Sequence, residues 1–192
     1  MPNAAPAFHE EARDYRVLIV DDNRDAANTL AMLAGLWGYK VQTAYDGQTG
    51  LEKARSFRPD CILLDIGLPG IDGYTLAHRV RQHPVLSTTK LIALSAYSSE
   101  EHDRRLHELG FDYHFVKPAD PTILEGVLKM LEHAVKLMER TEALAQQNVN
   151  LARETKELLS EVKEDIADVK DELREVKDEL REVKDELHGS NE

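Results

Sequence analysis

After Pro121 the sequence contains no further proline, and between Gly126 and Gly189 it contains no glycine. Nothing in that stretch stops an α-helix, and Pro121 is suited to open one, because the first helical N–H needs no partner. A helix from 121 to about 187 would span roughly 100 Å at 1.5 Å per residue, more than one small domain can support. Counting by alternating steps of three and four gives a single seam. It reads Leu124, Val127, Leu131, Ala134, Met138, Thr141, Ala145, Asn148, Ala152, Thr155, Leu159, Val162, Ile166, Val169, Leu173, Val176, Leu180, Val183 and Leu187. A seven-residue repeat of this length implies left-handed supercoiling with other chains; the alternative is a solvated single helix.

With the Leu column at a and the Val column at d, Lys170, Lys177 and Lys184 fall at e, and Glu172, Glu179 and Glu186 at g. A parallel assembly sets these acids near the lysines of a neighbour, each exposed pair contributing at most about 1 kcal/mol. Leu at a with a β-branched residue at d leans toward states higher than a dimer. Between Met138 and Leu159 the seam passes through small and polar residues, Thr141 to Thr155. That stretch is expected to be the loosest part of the helix, or else Asn148 serves to fix register.

Ahead of the helix, short apolar runs alternate with segments of helical period. Val17–Val20, Val41–Ala44, Cys61–Leu64, Leu91–Leu94 and His114–Val116 read as strands, with helices near 24–37, 47–57, 73–82 and 98–109. The first, third and fourth runs do not alternate with polar residues, as expected where both faces of a parallel sheet are covered. Five β-α units make a flavodoxin-like, doubly wound α/β fold with a five-stranded parallel sheet in the order 2-1-3-4-5. The expected division is an N-terminal tail over 1–14, a domain over 15–138, a parallel coiled coil over 139–188 and a tail over 189–192.

In such sheets, ligands bind at the carboxyl ends of the strands. Asp21 and Asp22 follow the first run, Asp65 the third, Ser95 the fourth and Lys117 the fifth, with Pro118 next. Clustered carboxylates repel one another unless a hard divalent cation neutralises them, and an oxygen-rich set of this kind suits Mg²⁺. A carboxylate beside such an ion can attack a phosphoryl donor, while an ammonium and a hydroxyl stabilise the transferred group. Any one of these residues alone reads as solvated surface or as a helix cap. Five at the ends of four strands do not.

Residues 16–133 resemble the receiver domain of two-component response regulators. The resemblance rests on Val-Leu-Ile-Val-Asp-Asp-Asn (17–23), Leu-Leu-Asp-Ile-Gly-Leu-Pro-Gly-Ile-Asp-Gly (63–73), Leu-Ser-Ala (94–96) and Val-Lys-Pro (116–118). Intervals of 30 residues from Asp65 to Ser95 and 22 from Ser95 to Lys117 also match. The resemblance implies that Asp65 is the phosphoacceptor, and that Asp21, Asp22, Asp65 and the carbonyl of Gly67 surround Mg²⁺. It makes Ser95 the switch hydroxyl and Lys117 the phosphate-binding ammonium. It also implies a sensor histidine kinase or a histidine phosphotransfer protein as donor, a regulatory protein rather than an enzyme, and a dimer ahead of a tetramer. One position departs from the family pattern. His114 stands where a switching Tyr or Phe is usual, and is either the rotating ring or a half-exposed strand residue.

The net charge of −12 is divided as −4 over 1–140 and −8 over 141–192. Such an acidic chain argues against nucleic acid as a partner. No apolar run is long enough for a membrane span, and the single Cys61, inside an apolar run, fits a reducing cytoplasm. The expected output is oligomerisation or protein–protein interaction. The alternatives are a constitutively oligomeric scaffold or phosphate sink, or the receiver fragment of a hybrid kinase.

Overall fold

The computed structural model describes residues 14–189, with side chains described as far as Arg181. The expected tails, 1–14 and 189–192, fall almost wholly outside these residues, and the seam residues Val183 and Leu187 fall outside those with described side chains. The described residues form two units, divided between Leu137 and Met138.

In the first unit the strands are β1 (Arg16–Val20), β2 (Lys40–Ala44), β3 (Cys61–Asp65), β4 (Lys90–Ser95) and β5 (Tyr113–Val116). All neighbours pair in parallel, in the order β2-β1-β3-β4-β5 expected from the sequence. The helices are α1 (Arg24–Leu36), α2 (Gly47–Phe57), α3 (Gly73–Gln82), α4 (Glu100–Glu108) and α5 (Pro121–Gly189). Each begins at a side-chain cap. Asn23, Asp46, Asp72, Ser99 and Asp120 accept hydrogen bonds from backbone N–H groups of the following turn, satisfying donors that have no partner within the helix. The cap at Ser99 starts α4 two residues later than apolar spacing alone predicts.

Alternation along the strands divides the interior into two clusters. Leu18, Val20, Ile62, Leu64, Leu91 and Ala93 face one layer with residues of α2, α3 and α4. Val17, Ile19, Cys61, Leu63, Ile92 and Leu94 face the other, with α1 and the start of α5. Each fully buried Leu or Ile contributes on the order of 2 kcal/mol. Strand β3 is buried along its whole length, which explains its unbroken apolar run. Cys61 is wholly buried, and that burial pushes its thiol pKa up.

The first turns of α5 depart from the sequence seam. Leu124, Leu128 and Leu131 are buried in the second cluster, so Leu124 and Leu131 pack on their own sheet. Leu128 lies off the seam and is buried with them, because a helix lying on a sheet uses a broader stripe than a coiled coil does. In the second unit the helix carries Leu159, Val162, Ile166, Val169, Leu173, Val176 and Leu180, each at least half exposed. Among the described residues no helix is long and apolar enough to cross a membrane.

Candidate functional site

Strand register brings the sequence-predicted residues level. Val20 pairs with Leu64, Asp65 with Leu94, and Ser95 with Val116. Asp21 is still tied to the sheet through its N–H, which donates to the Ala44 carbonyl. The Lys117 N–H donates to the Ser95 carbonyl at 2.7 Å. The four strand ends therefore present their side chains at one rim. The Lys117–Pro118 peptide bond there is cis.

Carboxylate oxygens of Asp21, Asp22 and Asp65 lie within 4.8 Å of one another. Asp21 is fully buried and Asp65 nearly so, while Asp22 is exposed. The Lys117 Nζ donates to Asp21 Oδ2 at 2.7 Å and pairs with Asp65 Oδ2 at 2.8 Å. Burial alone would lower the Lys117 pKa, but the hydrogen bonds and charges of Asp21 and Asp65 outweigh it, so the ammonium is held above its usual value. Three carboxylates against one ammonium leave the cluster anionic, and its donors are all oxygen. Such a set fits a hard divalent cation. The other oxygen of Asp65, Oδ1, accepts the Gly67 N–H at 2.9 Å, which fixes the carboxylate plane.

Ser95 and His114 meet. The Ser95 hydroxyl donates to the Tyr97 carbonyl at 2.5 Å and lies 2.7 Å from His114 Nε2. His114 Nδ1 lies 2.9 Å from Asp103 Oδ1 on α4, so the imidazole links β4 to α4. Its ring also stands 5.0 Å from that of His102, which lies 5.0 Å from Tyr97 and hydrogen-bonds Tyr74 through Nδ1 at 2.6 Å. Asp65, Gly67, Tyr74, Ser95, His102 and Lys117 line one cleft of about 360 Å³.

Burial, followed by the neighbouring His114, lowers the His102 pKa below 6.5, and its Nε2 has no hydrogen-bond partner. An unfolded chain takes up this proton near pH 6.5, whereas the folded chain resists it. Folding stability from this group is therefore full above that pH and is lost as pH falls below it. His102→Phe removes the titration. Between pH 7.5 and 5.5 the urea midpoint of the native chain is expected to fall more than that of the variant. Parallel falls would exclude His102 as the cause.

Sequence reasoning passed over Tyr74, His102 and Asp103, because side-chain partners on different elements leave no periodic trace. It also assigned no role to Gly73. A Cβ there would lie 2.4 Å from the Asp65 carbonyl oxygen and 2.7 Å from Ile66 Cα, so the first turn of α3 sits against the backbone that carries Asp65. The capping Asp72 just before it was the available signal.

The family model described as "Response regulator receiver domain" matches residues 17–129. Chemotaxis protein CheY of Treponema pallidum is 32% identical over 134 residues, covering 68% of this chain and 86% of that protein. The gliding motility regulatory protein of Myxococcus xanthus is 36% identical over 106 residues, and there the match spans 14% of the relative's length. Among solved structures, a putative response regulator from Chloroflexus aurantiacus superposes with a TM-score of 0.59 at 34% identity, covering 63% of this chain and 99% of that one. Vibrio cholerae CheY4 gives 0.60 at 28% identity, over 62% and 99%. The residues matched by the family model hold the sheet and its rim, and the chain belongs to the response regulator receiver domain family.

Proposed function

We propose that the chain accepts a phosphoryl group on Asp65 from a phosphohistidine of a sensor kinase or phosphotransfer protein. The observation that carries this is the Asp65 carboxylate, held at the end of a buried strand between the Lys117 ammonium and the Gly67 N–H, beside Asp21 and Asp22. An oxygen of Asp65 forms the new P–O bond as the donor's P–N bond breaks. The imidazole leaves with the electron pair and is protonated from solvent. The Lys117 ammonium meets the negative charge of the incoming group. Asp21, Asp22, Asp65 and the Gly67 carbonyl would hold Mg²⁺, which when bound supplies further neutralisation of phosphoryl oxygens.

Ser95 serves as the switch hydroxyl. To reach the phosphoryl group it leaves the Tyr97 carbonyl and His114, and His114, the switch ring, is then held through Nδ1 by Asp103 alone. This is a regulatory acceptor of a phosphorelay rather than a conventional catalyst. Its output is self-association through the terminal helix, as a dimer in the first place and a tetramer in the second. The domain spans 15–138, the coiled coil 139–188.

The acceptor is tested by treating the chain with acetyl phosphate and Mg²⁺, trapping the acyl phosphate by borohydride reduction, and mapping peptides by mass. Reduction at Asp65 is expected. Label recovered on another residue removes Asp65 from the role.

A further inference from the structure

Large apolar side chains of the second unit lie exposed on two neighbouring columns. Leu144, Leu151 and Leu158 are 53%, 59% and 61% exposed; Leu159, Ile166, Leu173 and Leu180 are 57%, 50%, 63% and 65%. The single three-four count begun at Leu124 passes Leu144 and Leu151 by and takes Ala145 and Ala152 instead. Counted back from Val162 by a four in place of a three, the seam becomes Thr141, Leu144, Asn148, Leu151, Thr155, Leu158 and Val162. Two steps of four then adjoin, Leu158 to Val162 and Val162 to Ile166, before alternation resumes at Val169. An inserted step of this kind locally unwinds a coiled coil.

The helix itself favours the second count. At 3.6 residues per turn, the residues from Leu144 to Leu180 on this seam fall in a sector about 80° wide. The unbroken count from Ala145 to Leu180 spreads over about 140°, because a strict seven-residue repeat drifts by about 20° per heptad on a straight helix. The larger side chains also lie on the narrower stripe. The adjacent pair Leu158 and Leu159 sits where the two phases meet, one residue belonging to each. Val149 lies on neither.

We propose that this face binds a second copy of the chain, parallel and in register, through a seam that changes phase between Leu158 and Ile166. The inference rests on the homo-oligomer reading above and deepens it. In the upper segment Thr141, Asn148 and Thr155 occupy a, and Leu144, Leu151 and Leu158 occupy d. A polar Asn at a single a position specifies register and oligomer state, and Asn148 with the short Thr side chains around it offsets the lean of the lower segment toward higher states. In the lower segment Asp165 and Glu172 at g precede Lys170 and Lys177 at e by five residues. A parallel, in-register pair sets each acid against a lysine of the other copy, whereas an antiparallel pair sets like charges together. The stretch before Leu159 is therefore a leucine-packed seam, not the weak part of the helix that the unbroken count implies.

The sole native cysteine is buried, so introduced thiols in the full chain report without interference. Leu144→Cys, Leu151→Cys, Ala145→Cys, Ala152→Cys and Leu173→Cys are each oxidised mildly and followed by non-reducing electrophoresis, with mass by light scattering. Position 173 is in the core under either count. Linked dimers are expected to form readily at 173, and at least about tenfold faster at 144 and 151 than at 145 and 152. Linking at 173 with equal or reversed rates at the other four overturns the phase change and leaves the homo-oligomer standing. No linking at 173 in a monomeric chain overturns both, and leaves the face to a different partner. A tetrameric mass overturns the two-stranded assignment.

Discussion

Asp65→Asn is expected to reduce labelling by acetyl phosphate and Mg²⁺ at least about a hundredfold, because an amide lacks the nucleophilic oxygen pair of a carboxylate. The variant keeps the shape of the side chain at a site that is 7% exposed. It loses the ion pair to Lys117 but also removes one of three mutually repelling carboxylates, and Lys117 keeps its hydrogen bond to Asp21. The two changes oppose each other, so the Tm is expected to move by no more than a few degrees. Labelling and melting are measured on the same preparation. Full labelling of the Asn variant would place the acceptor elsewhere. Loss of labelling with a collapsed Tm would mean that the carboxylate is structural.

Gly73→Ala has the larger expected effect on stability. The added methyl would meet the Asp65 carbonyl oxygen at 2.4 Å and Ile66 Cα at 2.7 Å, and both are backbone atoms that cannot rotate away. Either α3 lifts from β3 or the end of β3 moves. Overpacking of this kind costs about 1–3 kcal/mol, which in a domain of this size lowers the Tm by roughly 5–15 °C. Labelling at Asp65 is expected to slow as well, since the residue's own backbone is displaced. Gly35→Ala is the matched comparison. Nothing lies within 4 Å of a Cβ there, and a helical Ala loses less backbone entropy on folding, so its Tm is expected to hold or rise. Equal melting of the two variants would show that the contact at Gly73 relaxes freely.

The sheet and most of the rim were legible in the sequence for one reason. Parallel strands covered on both faces must be continuously apolar, and residues just beyond such runs must lie at one edge. Asp21, Asp65 and Ser95 follow from that rule, whereas Lys117 follows an edge strand that is only partly buried. What the rule does not report is which side chain meets which. The Ser95 hydroxyl is held by the Tyr97 carbonyl, and His114 reaches Asp103 on α4, because of loop paths that leave no pattern in the sequence. The start of α5 shows a different limit. Periodicity marks Leu124 and Leu131 as buried, which they are, but cannot say whether their own sheet or another chain buries them. In the second unit two columns of leucine both satisfy a count by three and four, and choosing between them needs the helix angle as well as the spacing.

The division of the interior by the sheet has a further consequence for how the domain tolerates change. Leu63 and Leu64 are adjacent in the chain, yet one belongs to the layer with α1 and α5 and the other to the layer with α2, α3 and α4. Volume lost on one side cannot be refilled from the other, because the backbone of β3 stands between them. Sequence neighbours are thus energetic strangers, while Leu63 and Leu128, far apart in the chain, share one cluster. Side chains within a layer are coupled through common neighbours, whereas those in opposite layers have no packing partner in common.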